Sequence, residues 1–126
     1  RISPLVMTVE DILGAPLPPD SIVYRRGDTV CVGSYVGNGV WEVHGAVAPH
    51  ERGKIGLDSM RWALAQFWQD HPDAVEVIAG PKADNRAVRV TNNLLGFTLA
   101  GKTSVEWPDG VTRETCVYRM KRPCAA

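Results

Sequence analysis

The sequence predicts a domain of the α+β or mixed α/β kind, and three observations carry that expectation. Residues 21–49, "SIVYRRGDTVCVGSYVGNGVWEVHGAVAP", hold three β-rich runs divided by the turn residues Arg26-Gly27-Asp28 and Gly37-Asn38-Gly39, the pattern of an antiparallel meander. Apolar residues then recur at helical spacing, at Leu57, Met60, Leu64, Phe67 and Trp68, before the short β-branched run "AVEVIAG". A strand, a helix and a further strand in that order predict a parallel, right-handed crossover in the middle of the sheet.

Each element has its own local cause. "TVEDILGA" reads as one short helix because Thr8 is followed three residues later by Asp11, a capping-box spacing. "PLPPD" is a stiff linker into the meander. The helix opening near Lys54 ends at "DHPD", whose proline and aspartates break helical geometry. A second helix is expected from about Asn85 to Leu95, with Asn85 as its cap and Gly96 in the C′ position. Two final strands, within "FTLAGKTSVEWPDGVTRETCVYRM", turn around Pro108-Asp109-Gly110. The last residues, 121–126, read as a flexible tail.

Composition narrows the function classes. The 126 residues suit one domain with a real core, at 44% hydrophobic and 22% charged. Fourteen basic residues balance fourteen acidic ones, so no general attraction to nucleic acid or an anionic membrane is expected. No apolar run approaches the roughly 20 residues of a membrane span. The chain lacks an initial Met and shows no leader, so a trimmed chain and a cytoplasmic location are the expectation. Cys31, Cys116 and Cys124 show no CxxC spacing and His44, His50 and His71 are scattered. Free thiols and no metal site follow.

The stretch "PHERGKIGLDSMRWALAQFW", residues 49–68, raises a chemical question. A helix N-terminus already carries unpaired N–H groups and a positive dipole end. Arg52 and Lys54 beside Gly53 make that place more positive still, which suits a bound anion such as phosphate.

Taken with "HGAVAPHERGK", a buried strand and "DNRAVRVTNNLLGF", this stretch resembles the GNAT family of N-acetyltransferases over residues 21–120, with Asn85 and the Leu-Gly-Phe ending its most specific part. The compact length is similar to small bacterial and bacteriophage members, which would place a phage-encoded chain in the host cytoplasm. The resemblance implies a mixed, twisted sheet of about six strands with helices on both faces, in a single domain over 1–126 with a shortened first helical region. It also implies acetyl-CoA as co-substrate. The family's pyrophosphate loop, (Gln/Arg)-x-x-Gly-x-(Gly/Ala), would run from Arg52 through Gly53, Lys54, Ile55 and Gly56 to Leu57. Ile55 and Leu57 stand where the family has small residues, a departure tolerated if both side chains point into the core. Ala46, Val47 and Ala48 would meet the pantetheine arm through backbone groups, and Asn85 would touch the same arm.

The implied chemistry is attack of an amine on a thioester, needing a proton acceptor and something at the departing sulfur. Glu42 and His44 are the candidate bases. They lie two apart on one strand face, but one position out of step with Trp41 and Val43, where several members carry the base. Holding each other structurally is the alternative. Asn92 occupies the position of the family's acid Tyr, and an amide can donate a hydrogen bond to sulfur but not a proton. Lys82, Arg86 and Arg89 face adenine-side phosphates or simply solvent. Trp68 belongs to the core stripe, Trp62 to the early helix or a partner, and Trp107 to an exposed turn.

The leading expectation is an acetyl-CoA-dependent N-acetyltransferase acting on a primary amine of a small molecule, peptide or protein. The rival is a non-catalytic binding or structural protein of the same fold, possibly of phage origin. A short first helical region implies an open acceptor groove and permits a homodimer.

Overall fold

The structure is a computed structural model and describes residues 6–124. Its elements follow the expected order. Helix α1 (Val9–Leu13) starts at Thr8, whose hydroxyl accepts from the Asp11 N–H while the Asp11 carboxylate accepts from the Thr8 N–H, both at 3.0 Å. It stops at Gly14, whose φ of 74° only glycine adopts cheaply. Strands β1 (Ile22–Arg26), β2 (Thr29–Gly37) and β3 (Val40–Val47) form the meander. A 3₁₀ turn at Pro49–Glu51 leads into helix α2 (Lys54–Asp70). Strand β4 (Glu76–Ala79), helix α3 (Arg86–Leu95), β5 (Thr98–Glu106) and β6 (Thr112–Lys121) complete the chain. Asn85 caps α3 by accepting from the Val88 N–H, and Gly96 ends it at φ 98°.

The six strands form one sheet in the order β1-β2-β3-β4-β6-β5. The β3–β4 pairing is parallel, as a helical crossover requires, and it is brief: Val40, Trp41 and Glu42 oppose Glu76, Val77 and Ile78. Beyond Glu42 the two strands part, while β3 stays paired to β2 as far as Val47.

Side chains alternate across this sheet, so each strand feeds two layers. On one face Trp41 meets Phe67 of α2 edge-on at 5.5 Å, and Val43 joins Met60, Leu64, Phe67, Val77, Phe97, Cys116 and Tyr118 in the main core. Helix α3 lies on this face as well, since Arg89 reaches the Tyr118 hydroxyl and Arg61 of α2 reaches the Leu94 carbonyl. Val30 and Val32 point to the other face and are fully buried there, beside α1, which packs on β2 and β3. Helices therefore cover both faces, as expected. Among the described residues no helix is long and apolar enough to cross a membrane.

Three expectations need correction. Trp62 packs edge-on against Tyr24 of β1 (6.4 Å, 82°), not against the early helix. Trp107 is partly buried under the Lys82 ammonium, 4.8 Å from the ring centre, because the hairpin folds back beside residues 81–83. The expected tail starts later than 121: Lys121 pairs with Glu76 in the sheet, and the Arg122 guanidinium donates to the carbonyls of Trp68, His71 and Ala74. Carbonyls at the end of a helix and in the loop that follows it are a natural seat for a guanidinium. Residues 125–126 lie outside the described residues. Cys31 and Cys116 are buried, and burial pushes the Cys31 thiol up to about 12. Cys124 is exposed.

Candidate functional site

The parting of β3 from β4 places backbone groups where no strand answers them. Ala48 donates its N–H to the Asp28 carbonyl, on the β2 side. By antiparallel alternation Ala46 and His44 also direct their backbone groups toward β2. The N–H and C=O groups of Gly45 and Val47 therefore face the gap beside β4, with no strand partner among the described residues. This corrects the reading of Ala46, Val47 and Ala48 as one run: only Val47 of the three presents its backbone to the opening, and Gly45 joins it.

The gap runs directly into the start of α2. Gly53, at φ 93° and ψ −138°, swings the chain from the 3₁₀ turn into the helix, and no side chain caps it. The first backbone bond of the helix is Leu57 N–H to Gly53 C=O. The N–H groups of Lys54, Ile55 and Gly56 thus lack an acceptor among the described residues. Such a turn of free donors is a ready anion seat.

Gly56 is what brings that seat against β3. A Cβ there would lie 2.7 Å from a Val47 methyl and 2.9 Å from the Glu51 carbonyl oxygen. Ile55 does not point into the core; its side chain is 61% exposed, because the turn after Gly53 aims position 55 outward. Leu57 is half-buried. Arg52 is exposed, and Lys54 leans along the helix to Asp58 at 2.7 Å.

A strut holds the loop from behind. The Glu51 carboxylate accepts from the Asp28 N–H (3.0 Å) and the Thr29 hydroxyl (2.8 Å). The Asp28 carboxylate in turn takes Arg25 at 2.7 Å and His50 at 2.8 Å. Asp28, His50 and Glu51 stand close enough to share a metal ion, but their oxygens are already engaged by these donors. Their visible work is to fix the β1–β2 turn to the helix start.

Glu42 and His44 lie on the face opposite α2, beside the point where β3 and β4 separate. The two side chains meet: His44 Nε2 is 2.9 Å from a Glu42 carboxylate oxygen, with both side chains a little under half exposed. The hydrogen bond from His44 holds the Glu42 carboxyl below its usual range. A carboxylate can only accept, so Nε2 carries a hydrogen in this contact. The two side chains hold each other, as one of the two sequence readings allowed.

Asn92 of α3 is buried, and its amide Nδ2 finds no hydrogen-bond partner among the described residues. Asn85 is occupied as the α3 cap. Of the suspected phosphate contacts, Lys82 lies over Trp107, while Arg89 binds the Ala83 carbonyl and the Tyr118 hydroxyl. Arg86 is exposed and lines a small hollow with Arg89, Asn93 and Tyr118.

No family model and no curated relative matches this chain. Solved structures do. The acetyltransferase of the GNAT family from Bacillus anthracis superposes with a TM-score of 0.62 at 16% identity, covering 74% of this chain and 57% of that one. The microcin C7 self-immunity acetyltransferase MccE, solved with acetyl-CoA and AMP, gives 0.64 at 20% identity over 75% of this chain and 54% of its own. The ribosomal-protein-S5-alanine acetyltransferase from Vibrio fischeri gives 0.64 at 12%, over 74% and 53%. The chain therefore spans a little over half the length of these proteins. At such identities the likeness is one of architecture, and in architecture this chain has the fold of the GNAT acetyltransferases.

Proposed function

We propose that the chain binds acetyl-CoA along β3 and at the start of α2, and transfers the acetyl group to a primary amine. One observation carries the reading: the open backbone edge at Gly45 and Val47 continues, within one stretch of chain, into the uncapped helix start at Gly53–Gly56. An extended, amide-bearing arm ending in a pyrophosphate matches that sequence of groups, edge pairing first and free N–H donors second. Exposure of Ile55 counts against the fit, since a bulky side chain outside the core stands beside the backbone donors that would hold the pyrophosphate.

The chain's own residues supply parts of the chemistry. Glu42 holds the His44 ring, and His44 Nδ1 can take the proton from the incoming ammonium on the open face. Asn92 can donate a hydrogen bond at the sulfur but cannot protonate it. The leaving thiolate then departs unprotonated, so slow turnover is expected. The second reading, coenzyme binding without turnover, draws on the same side chain. The acceptor side remains open because α1 is short and leaves Glu42 and His44 about half exposed, which suits a peptide or protein amine.

Thermal melting with acetyl-CoA tests the reading. A ligand specific for the native state adds about 2.7 kcal/mol at a hundredfold excess over Kd, a rise of several degrees in Tm for a domain this size. Arg52→Glu should remove most of that rise and leave the ligand-free Tm nearly unchanged. A wild-type Tm indifferent to millimolar acetyl-CoA overturns the proposal. A rise without release of free coenzyme thiol, over a panel of amines, selects binding without turnover.

A further inference from the structure

The two edges of the sheet are built differently. Strand β1 forms one edge; it is five residues long and finishes on Arg25 and Arg26. A short edge carrying charged side chains resists pairing with another strand. Strand β5 forms the other edge at nine residues, and every one of them is exposed. Its strand neighbour is β6 on one side, and among the described residues no strand answers it on the other.

The hairpin turn decides which backbone groups are open. The Trp107 N–H donates to the Val111 carbonyl across the turn. Pairing then proceeds in step, with Glu106 opposite Thr112, Val105 opposite Arg113 and so on to Gly101 opposite Val117. By antiparallel alternation Val105, Thr103 and Gly101 direct their N–H and C=O groups toward β6. Glu106, Ser104 and Lys102 direct theirs outward, where only water or another strand can meet them.

The side chains at these outward positions select what that strand is. Lys102 and Glu106 lie on one face with Ser104 midway between them. Suppose two copies of β5 pair antiparallel about a two-fold axis at Ser104. Lys102 of each copy then opposes Glu106 of the other, and both lie in hydrogen-bonded pairs. The same axis sets Thr103 against Val105, which is 40% exposed, in the closer non-hydrogen-bonded pairs. An axis at Lys102 or at Glu106 would bring like charges face to face. An axis at Thr103 or Val105 would leave both charges without an opposite. Within one chain neither charge is firmly held. Lys102 stands a loose 3.6 Å from Glu114, both about half exposed, and Glu106 has no ion-pair partner among the described residues.

We propose that β5 pairs antiparallel with β5 of a second copy of this chain about a two-fold axis at Ser104, joining the two sheets edge to edge. This is strand addition in which the added strand is the chain itself. A two-fold contact uses the same patch on both copies, so assembly closes at the dimer. The irregularity between Leu99 and Gly101 limits the straight pairing to the stretch that follows it. An interface of that length is small, and the dimer is a reversible one. The inference does not rest on the coenzyme reading, because β4 and β6 stand between β3 and β5.

Sedimentation velocity of the whole chain, from about 5 µM to about 1 mM, tests the proposal. A monomer–dimer equilibrium with a midpoint between roughly 10 µM and 1 mM is expected, as for a weak interface. Lys102→Glu and Glu106→Lys should each weaken dimerisation at least about fourfold, since two symmetric pairs pass from attraction to repulsion. The double variant Lys102→Glu/Glu106→Lys should restore it, because the opposition of charge is exchanged and not lost. Ser104→Pro removes an N–H that faces outward and not toward β6. It should abolish the dimer while the circular dichroism stays that of the wild type. A chain that is monomeric at 1 mM overturns the proposal. So does a dimer that is indifferent to both single charge reversals, or a double variant no better than either single one.

Discussion

Replacing Gly56 with Ala tests whether the start of α2 is pressed against β3 as tightly as the structure shows. The added Cβ would meet the Val47 methyls at 2.7 and 3.1 Å and the Glu51 carbonyl oxygen at 2.9 Å. A Val side chain can turn away. A backbone carbonyl cannot, and this one belongs to the turn that Glu51 anchors to Asp28 and Thr29. Overpacking of this kind costs about 1–3 kcal/mol, and the better helix propensity of Ala returns at most about 1 kcal/mol. The net loss should be about 1–2 kcal/mol, a fall in Tm of roughly 3–10 °C for a domain of this size. Urea unfolding followed by tryptophan fluorescence should show a lower midpoint with an unchanged slope. Adding Val47→Ala to Gly56→Ala should relieve the methyl part of the clash and leave the carbonyl part. Gly53→Ala is the contrast, because nothing surrounds a Cβ there and only its φ of 93° resists the change. Gly56→Ala as stable as wild type would refute the close approach and remove the geometric basis of the anion seat.

Two further outcomes follow from individual side chains. Asp109 is held at about 2 by paired hydrogen bonds from Arg113, with help from the Val111 N–H. A lowered folded-state value means that the contribution is present above the unfolded carboxyl value near 4 and is lost as pH falls toward 2. Carboxyl-carbon NMR of Asp109 should give that low midpoint, and Arg113→Gln should raise it part of the way, since the Val111 N–H remains; a midpoint near 4 in the wild type would contradict the pairing. At Asn92 a buried amide without a partner costs about 1–3 kcal/mol. Asn92→Leu, which keeps the branching of the side chain and removes the amide, should therefore raise stability in urea, whereas a drop of more than about 1 kcal/mol would mean that the amide is satisfied.

Features set by neighbouring residues were legible from sequence. The Thr8–Asp11 box, the glycine turns at 27 and 39, the Asn85 cap and the Gly96 stop all depend on chemistry within a few positions. The meander, the parallel crossover and the final hairpin follow once those turns are placed. That Glu42 and His44 share a face was also legible, since strand alternation alone decides it. Where β3 leaves β4 was not, because that depends on how far β4 extends beside it, and this moved the open edge from Ala46–Ala48 to Gly45 and Val47. The outward turn of Ile55 depends on the φ of Gly53, which sequence spacing does not report. Arg122 read as tail because a charge near a chain end looks solvated, yet the carbonyls it binds come from the end of α2 and the following loop.

The disposition of the three thiols makes the chain convenient for spectroscopy. Burial pushes the Cys31 thiol up to about 12 and also shuts it away from reagents in solution. Cys116 is fully enclosed. A maleimide or iodoacetamide dye added to the native protein should therefore attach at Cys124 alone, two residues beyond the guanidinium that clasps the end of α2. A fluorophore there sits near one pole of that helix while the proposed coenzyme seat lies at the other. The wild-type chain thus carries its own single attachment point for reporting on either end of the molecule.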